Sequence, residues 1–133
     1  FSNIIREPLV GLEAVLPVDD SVRHWFASPR AAVGMLLHAA ELDLQRLGAR
    51  RALSMPGLCC TVAEQISALG RVAGQAKTTL IKREADETIQ KIVAGWPQDF
   101  ETTRANALGF VADASFDQII RIHIEDQVQG RLS

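Results

Sequence analysis

Three arginines of this chain stand beside apolar, aromatic or turn-forming residues, and they are its best candidates for chemistry. Arg6 follows Ile4 and Ile5, Arg23 precedes His24-Trp25-Phe26, and Arg83 ends an apolar run just before the turn Glu84-Ala85-Asp86. A guanidinium held against such surface is a planar, permanently charged fork that pairs with a carboxylate or phosphate through two parallel N–H···O contacts. An exposed arginine paired with a neighbouring acid has the same appearance in sequence and contributes little to stability. The residue types alone leave both readings open.

Other reactive groups are scattered. His24, His38 and His123 lie far apart, and none has a second His or Cys three or four residues away, so no metal ligand set is expected. Asp19-Asp20 and Glu125-Asp126 suit a turn and a solvated helix face better than paired acid–base work. Cys59 and Cys60 are adjacent and could join only through a strained ring, so two half-buried free thiols near a strand-to-helix turn are expected. No glycine-rich turn of the G-x-G-x-x-G or P-loop kind is present, so no phosphate cradle is encoded and no residue is assigned to cofactor binding or to catalysis.

The elements that must position these groups follow from spacing. Ser2 is a candidate cap for a helix Asn3–Glu7 that Pro8 cuts off, and Glu13–Pro17 and Val22–Ala27 read as extended runs. Ser28-Pro29 opens a long helix whose face is Val33, Leu36, Leu37, Ala40, Leu44 and Leu47, closed by Gly48. Arg51–Met55 reads as a strand ended by Pro56-Gly57, and Thr61 with Glu64 forms a capping box for a helix carrying Val62, Ile66, Leu69 and Val72. Lys77–Lys82 is a further strand. Asp86 then caps a helix with Ile89, Ile92 and Val93 that stops at Gly95-Trp96-Pro97. A short helix Glu101–Leu108 ends at Gly109, and Ser115 with Gln118 caps the last helix, which turns Phe116, Ile119, Ile120, Ile124 and Val128 inward. The result is a helix-rich α/β chain with few, short strands.

Composition agrees with a packed domain: 47% of the 133 residues are hydrophobic and 23% charged, at a formal net charge of −2. Cations are spread along the chain, which argues against nucleic acid as a partner. No apolar run approaches the roughly 18–20 residues needed to span a bilayer, and no signal peptide is visible, so a cytoplasmic location is expected and no membrane partner.

Three stretches, in order, carry a resemblance to the extended short-chain dehydrogenase/reductases, the NAD-dependent epimerase/dehydratase group. Val22-Arg23-His24-Trp25-Phe26-Ala27-Ser28-Pro29-Arg30-Ala31-Ala32 resembles that family's R-D-[FY]-[IV]-H-V-x-D-x-A segment. Lys82-Arg83-Glu84-Ala85-Asp86 resembles its R-x-G-D turn, and Ala105–Phe110 followed by Ser115–Ile120 resembles its closing K-A-x-x-x-L-G-[WF] and S-L-x-[ED]-G-[IL] pattern. Phe1–Pro8 and Gly95-Trp96-Pro97 are similar, more narrowly, to a sugar-acid dehydrogenase of the group.

The resemblance implies that residues 1–133 form the C-terminal substrate-binding part of a Rossmann-type enzyme, with NAD and the Tyr-x-x-x-Lys pair held by an N-terminal Rossmann domain absent from this chain. A chain that begins at Phe1 and contains no Tyr fits that expectation. By resemblance Arg23 and Arg83 match arginines that hold the anionic part of the substrate, and Arg6, His24 and Trp25 join them as expected substrate-binding residues. His24 replaces the family's Asp, Ala27 its frequent His and Arg30 its usual Asp, which points away from a nucleotide diphosphate and toward a small sugar acid. The expected partners are that substrate, the chain's own N-terminal domain and further copies of the full-length protein in a homo-oligomer. This part alone is expected to be inactive. The rival expectations are a nucleotide-sugar epimerase or dehydratase domain and a non-catalytic binding module.

Overall fold

The computed structural model describes residues 1–129, and the last four residues of the expected 1–133 domain lie outside them. Helix α1 (Asn3–Leu9) departs from expectation at both ends. Ser2 already has helical backbone angles and its side chain makes no capping bond, and Pro8 lies within the helix. A proline in the last turn forfeits a single intrahelical N–H, so the helix carries it through to Leu9. Reversal comes at Gly11 (φ 81°), where the Leu12 N–H reaches back to the Glu7 carbonyl at 2.9 Å.

Two small sheets follow. Strand β1 (Ala14–Leu16) pairs in parallel with β4 (Ile81–Arg83), setting Leu16 opposite Arg83. Strand β2 (Arg23–Phe26) pairs antiparallel with β3 (Leu58–Thr61), setting His24 opposite Cys60 and Trp25 opposite Cys59. The strand expected at Arg51–Met55 does not form: the segment pairs with no described strand, and the carbonyls of Ala52 and Met55 instead accept from the Arg104 guanidinium and the Trp25 indole. Lys77–Lys82 is likewise only part strand. Gly74 (φ 95°) ends α3 (Val62–Ala73) and opens a single turn, α4 (Gln75–Thr78). The Thr78 and Thr79 hydroxyls hold that turn by donating to the carbonyls of Gln75 and Ala76, each at 2.7 Å.

Helix α3 is the centre of the core. Its capping box is complete, with the Thr61 hydroxyl accepting from the Glu64 N–H at 3.1 Å and the Glu64 carboxylate accepting from the Thr61 N–H at 2.7 Å. Val62, Ala68 and Leu69 pack with Ile4 and Leu9 of α1, Leu16 and Ile81 of the parallel pair, and Phe116 and Ile120 of α7 (Phe116–His123). Ser115 caps α7 as expected, but Gln118 accepts from the Ala114 N–H rather than from Ser115.

Helix α2 (Pro29–Glu41) is capped by Ser28 but ends well before Gly48, and Leu44–Leu47 forms a separate 3₁₀ turn. Its expected core face is a correction. Leu36 and Leu37 are 72% and 63% exposed, and Val33 and Leu44 are also in solvent. What α2 buries is Met35, which joins Leu108 and Phe110 and Ala105 of α6 (Thr103–Ala107) in a second small core. Helix α5 (Glu87–Ala94) similarly buries Val93 while Ile89 and Ile92 face solvent.

Candidate functional site

Strand β2 sorts its side chains by alternation: His24 and Phe26 turn inward, Arg23 lies exposed and Trp25 is half-buried. Gly57 makes the Trp25 position possible. A Cβ there would come within 2.6 Å of Trp25 Nε1 and 2.8 Å of the Phe26 carbonyl, so only glycine lets the chain pass. The Trp25 indole then donates through Nε1 to the Met55 carbonyl at 3.3 Å.

His24 is the buried polar centre. It is 6% exposed, its ring centroid lies 3.7 Å from that of Phe1 and 5.5 Å from that of Trp96, and Phe26 stands edge-on at 6.2 Å. Its Nε2 is buried without a hydrogen-bond partner among the described residues. Burial lowers its pKa from the ordinary value, which favours the neutral imidazole. Phe1, His24, Trp25, Phe26, Trp96, Pro97 and Phe100 line a cleft of about 350 Å³. Five of the chain's seven Phe and Trp residues are gathered there. His24 and Trp25 are the expected substrate-binding residues in this wall. Phe1, Trp96 and Pro97 lie in the two stretches of narrower resemblance without an expected site role, and no sequence signal points to Phe100 beyond the scarcity of Phe and Trp.

The arginines are distributed around this cleft rather than converging in it. Arg6 rims a second, mostly apolar cleft of about 320 Å³ with Ile5, Gln65 and His123, which shares Phe1 and Phe26 with the first. His123 is held below its ordinary pKa by burial and then by Arg6. Arg23 emerges on the other face of β2, where Nη1 lies 3.9 Å from Cys59 Sγ and no carboxylate among the described residues pairs with it. Arg83 is engaged already: Nε and Nη2 meet the two oxygens of Asp20 at 3.1 and 2.8 Å, which raises its pKa further. The structure thus brings His24 and Trp25 into one wall and sets Arg6 beside it, with Arg23 behind the same strand and Arg83 tied to the turn that leads into it.

A dinucleotide cradle does not fit this chain. Such a site needs free N–H groups at a helix start where a pyrophosphate can sit. Every strand-to-helix junction here already carries a carboxylate. Asp113 accepts from Ser28 N and Oγ ahead of α2, Glu64 closes on Thr61 ahead of α3, and Asp86 accepts from the Ile89 N–H in α5. No group of three metal-ligating side chains occurs among the described residues, and no helix there is long and apolar enough to cross a membrane.

No family model matches the chain. It is 47% identical over 125 residues to the D-erythronate dehydrogenase of Cupriavidus necator, covering 94% of this chain and 39% of that protein. It is 41% identical over 124 residues to the D-erythronate dehydrogenase of Haemophilus influenzae, again covering 39% of that protein. The chain therefore spans about 39% of the length of the curated relatives it matches. Among solved structures, a nucleoside-diphosphate-sugar epimerase from Agrobacterium tumefaciens superposes with a TM-score of 0.96 at 57% identity, over 99% of this chain and 39% of that one. The helix-rich α/β architecture is that of the corresponding part of these proteins.

Proposed function

We propose that this chain, which belongs to the extended short-chain dehydrogenase/reductases, is the substrate-binding portion of an NAD-dependent oxidoreductase that converts D-erythronate to its 2-oxo acid. The observation that carries this reading is the 47% identity to a D-erythronate dehydrogenase over 94% of the chain. In this reading residues 1–133 are one substrate-binding domain, and NAD and the catalytic base belong to a Rossmann domain outside it. The carboxylates at its helix starts agree with that division, since they would repel a pyrophosphate.

The chain's own contribution is orientation. Arg6 and Arg23, which have their forks open toward solvent, supply positive charge beside the cleft for the substrate carboxylate, and Arg83 joins them only if it leaves Asp20. The neutral His24 imidazole meets a hydroxyl, and Trp25 forms the wall that excludes water. Holding a small polyhydroxy acid in one pose lowers a barrier by several kcal/mol without any proton passing through these groups.

A second reading, a nucleoside-diphosphate-sugar epimerase, is favoured by the name of the 57%-identical structure. The site argues for a smaller anion. A diphosphate calls for converging cations, and here Arg83 is neutralised by Asp20 while Arg23 and Arg6 lie on different faces. The test is a steady-state assay of the full-length protein. NADH formation from D-erythronate with no turnover of a UDP-sugar is expected, and the reverse result overturns the reading.

A further inference from the structure

We propose that Trp96 is a further substrate-binding residue, which stacks its indole against the C–H face of the polyhydroxy acid; the proposal rests on the reading above. Trp96 is 49% exposed but not loose. The Gly95 and Trp96 N–H groups bond back to the carbonyls of Ile92 and Val93 at 3.3 and 3.0 Å, and Pro97 narrows the backbone choices of the residue before it. The ring stands nearly edge-on to His24, 5.5 Å away with 70° between planes, and lies 6.4 Å from Phe1.

A half-exposed indole fixed at the wall of a cleft is a ready surface for the apolar face of a ligand. Trp96 shares its cleft with a histidine that is 6% exposed and whose buried Nε2 has no partner among the described residues, so the wall sets the open face of one indole beside the edge of one imidazole. That pairing is the chemistry of a small, hydroxylated carbon chain. Hydrogens on oxygen-bearing carbons are slightly positive and meet the negative face of the indole, while the hydroxyls turn toward imidazole and water. Trp25 is tethered through Nε1 to the Met55 carbonyl and packed on Phe100, so its orientation is set by the fold. Trp96 is the indole left for the ligand.

The test uses the full-length protein that carries this chain, in wild-type, Trp96→Ala and Trp96→Phe forms. Trp96→Ala is expected to raise KM for D-erythronate about tenfold, close to one lost aromatic contact, with kcat little changed. Trp96→Phe should recover most of the loss, and its melting temperature should stay near that of the wild type because the phenyl ring keeps most of the packing on His24 and Phe1. Calorimetric titration with D-erythronate reads the same contact without turnover. Oxidation of D-erythronate with KM and Kd unmoved in Trp96→Ala overturns the stacking proposal alone. Binding that needs Trp96 but leads to no oxidation overturns the reaction and keeps the contact. A wild-type protein that does not bind D-erythronate overturns both.

Discussion

Ser28 and Asp113, 85 residues apart, are joined by two hydrogen bonds: Ser28 N donates to Oδ2 at 2.8 Å and Ser28 Oγ to Oδ1 at 2.6 Å. The same hydroxyl oxygen accepts from the Ala31 N–H, so one serine starts α2 and ties it to the segment ahead of α7.

Asp113→Ala is therefore expected to destabilise the protein by about 2–3 kcal/mol, since it leaves a buried N–H and a buried hydroxyl without their charged acceptor. Ser28→Ala should cost less, about 1–2 kcal/mol, because the Ser28 backbone N–H keeps its bond to Asp113. Urea denaturation of both variants checks the order. Equal losses would mean that the backbone N–H bond contributes nothing.

Arg23 and Arg83 should respond differently to alanine substitution in the full-length protein. Arg23 has no acidic partner among the described residues, so Arg23→Ala is expected to leave the melting temperature unchanged. It should raise KM for D-erythronate by about tenfold or more, the worth of one charged hydrogen bond. Arg83 is already filled by Asp20, so Arg83→Ala should raise KM less, and Asp20→Asn should lower it by freeing the fork. An unchanged KM in Arg23→Ala removes that residue from the site.

The folded state should lose stability as the pH falls through the histidine range. His24 and His123 both have depressed pKa values, His24 through burial and His123 through burial and then Arg6. The folded protein therefore binds fewer protons than the unfolded chain just below the unfolded value, about 6.5. Stability is full above that pH and declines below it, by at most about 1.4 kcal/mol per pH unit for each histidine, until the folded pKa values are passed. Melting curves from pH 7.5 to 5.5 should show the decline, and His24→Phe should flatten it. A pH-independent melting temperature in that window refutes the assignment.

Local signals were the legible part of this fold. The caps at Ser28, Thr61, Asp86 and Ser115 all hold their helix starts, because each needs only residues within a turn of itself. What misled was anything whose partner is distant. Arg51–Met55 has the composition of a strand but no described strand to pair with. Pro8 was read as a breaker, although its place in the last turn made it tolerable. At the site, the arginines were legible as charges, whereas their partners, Asp20 for Arg83 and a thiol for Arg23, lie 63 and 36 residues away. The aromatic cleft was missed because Phe1, Trp96 and Phe100 meet β2 only through tertiary packing.

Helix α2 supports the last prediction. Apart from Arg30, His38 and Glu41, its thirteen residues are Pro, Ala, Val, Gly, Met and Leu, which makes it apolar nearly all round. Such a helix is ordinarily covered on every side. Here one side holds Met35 in the small core, while Val33, Leu36 and Leu37 face solvent. Beside them a cleft of about 400 Å³ is walled by Trp25, Met35, Leu36, Met55 and Pro56, next to the unpaired segment Arg51–Met55. An exposed apolar face of this kind is ordinarily covered in the assembled protein, and on the proposed division the Rossmann domain is the expected cover. The 133-residue chain on its own should then bind a hydrophobic dye and self-associate, and Leu36→Gln with Leu37→Glu should relieve both. In the full-length protein the same pair should instead destabilise by about 2–5 kcal/mol, as buried leucines do when they lose their packing. Stabilisation or indifference in the full-length protein would show that this face stays in water.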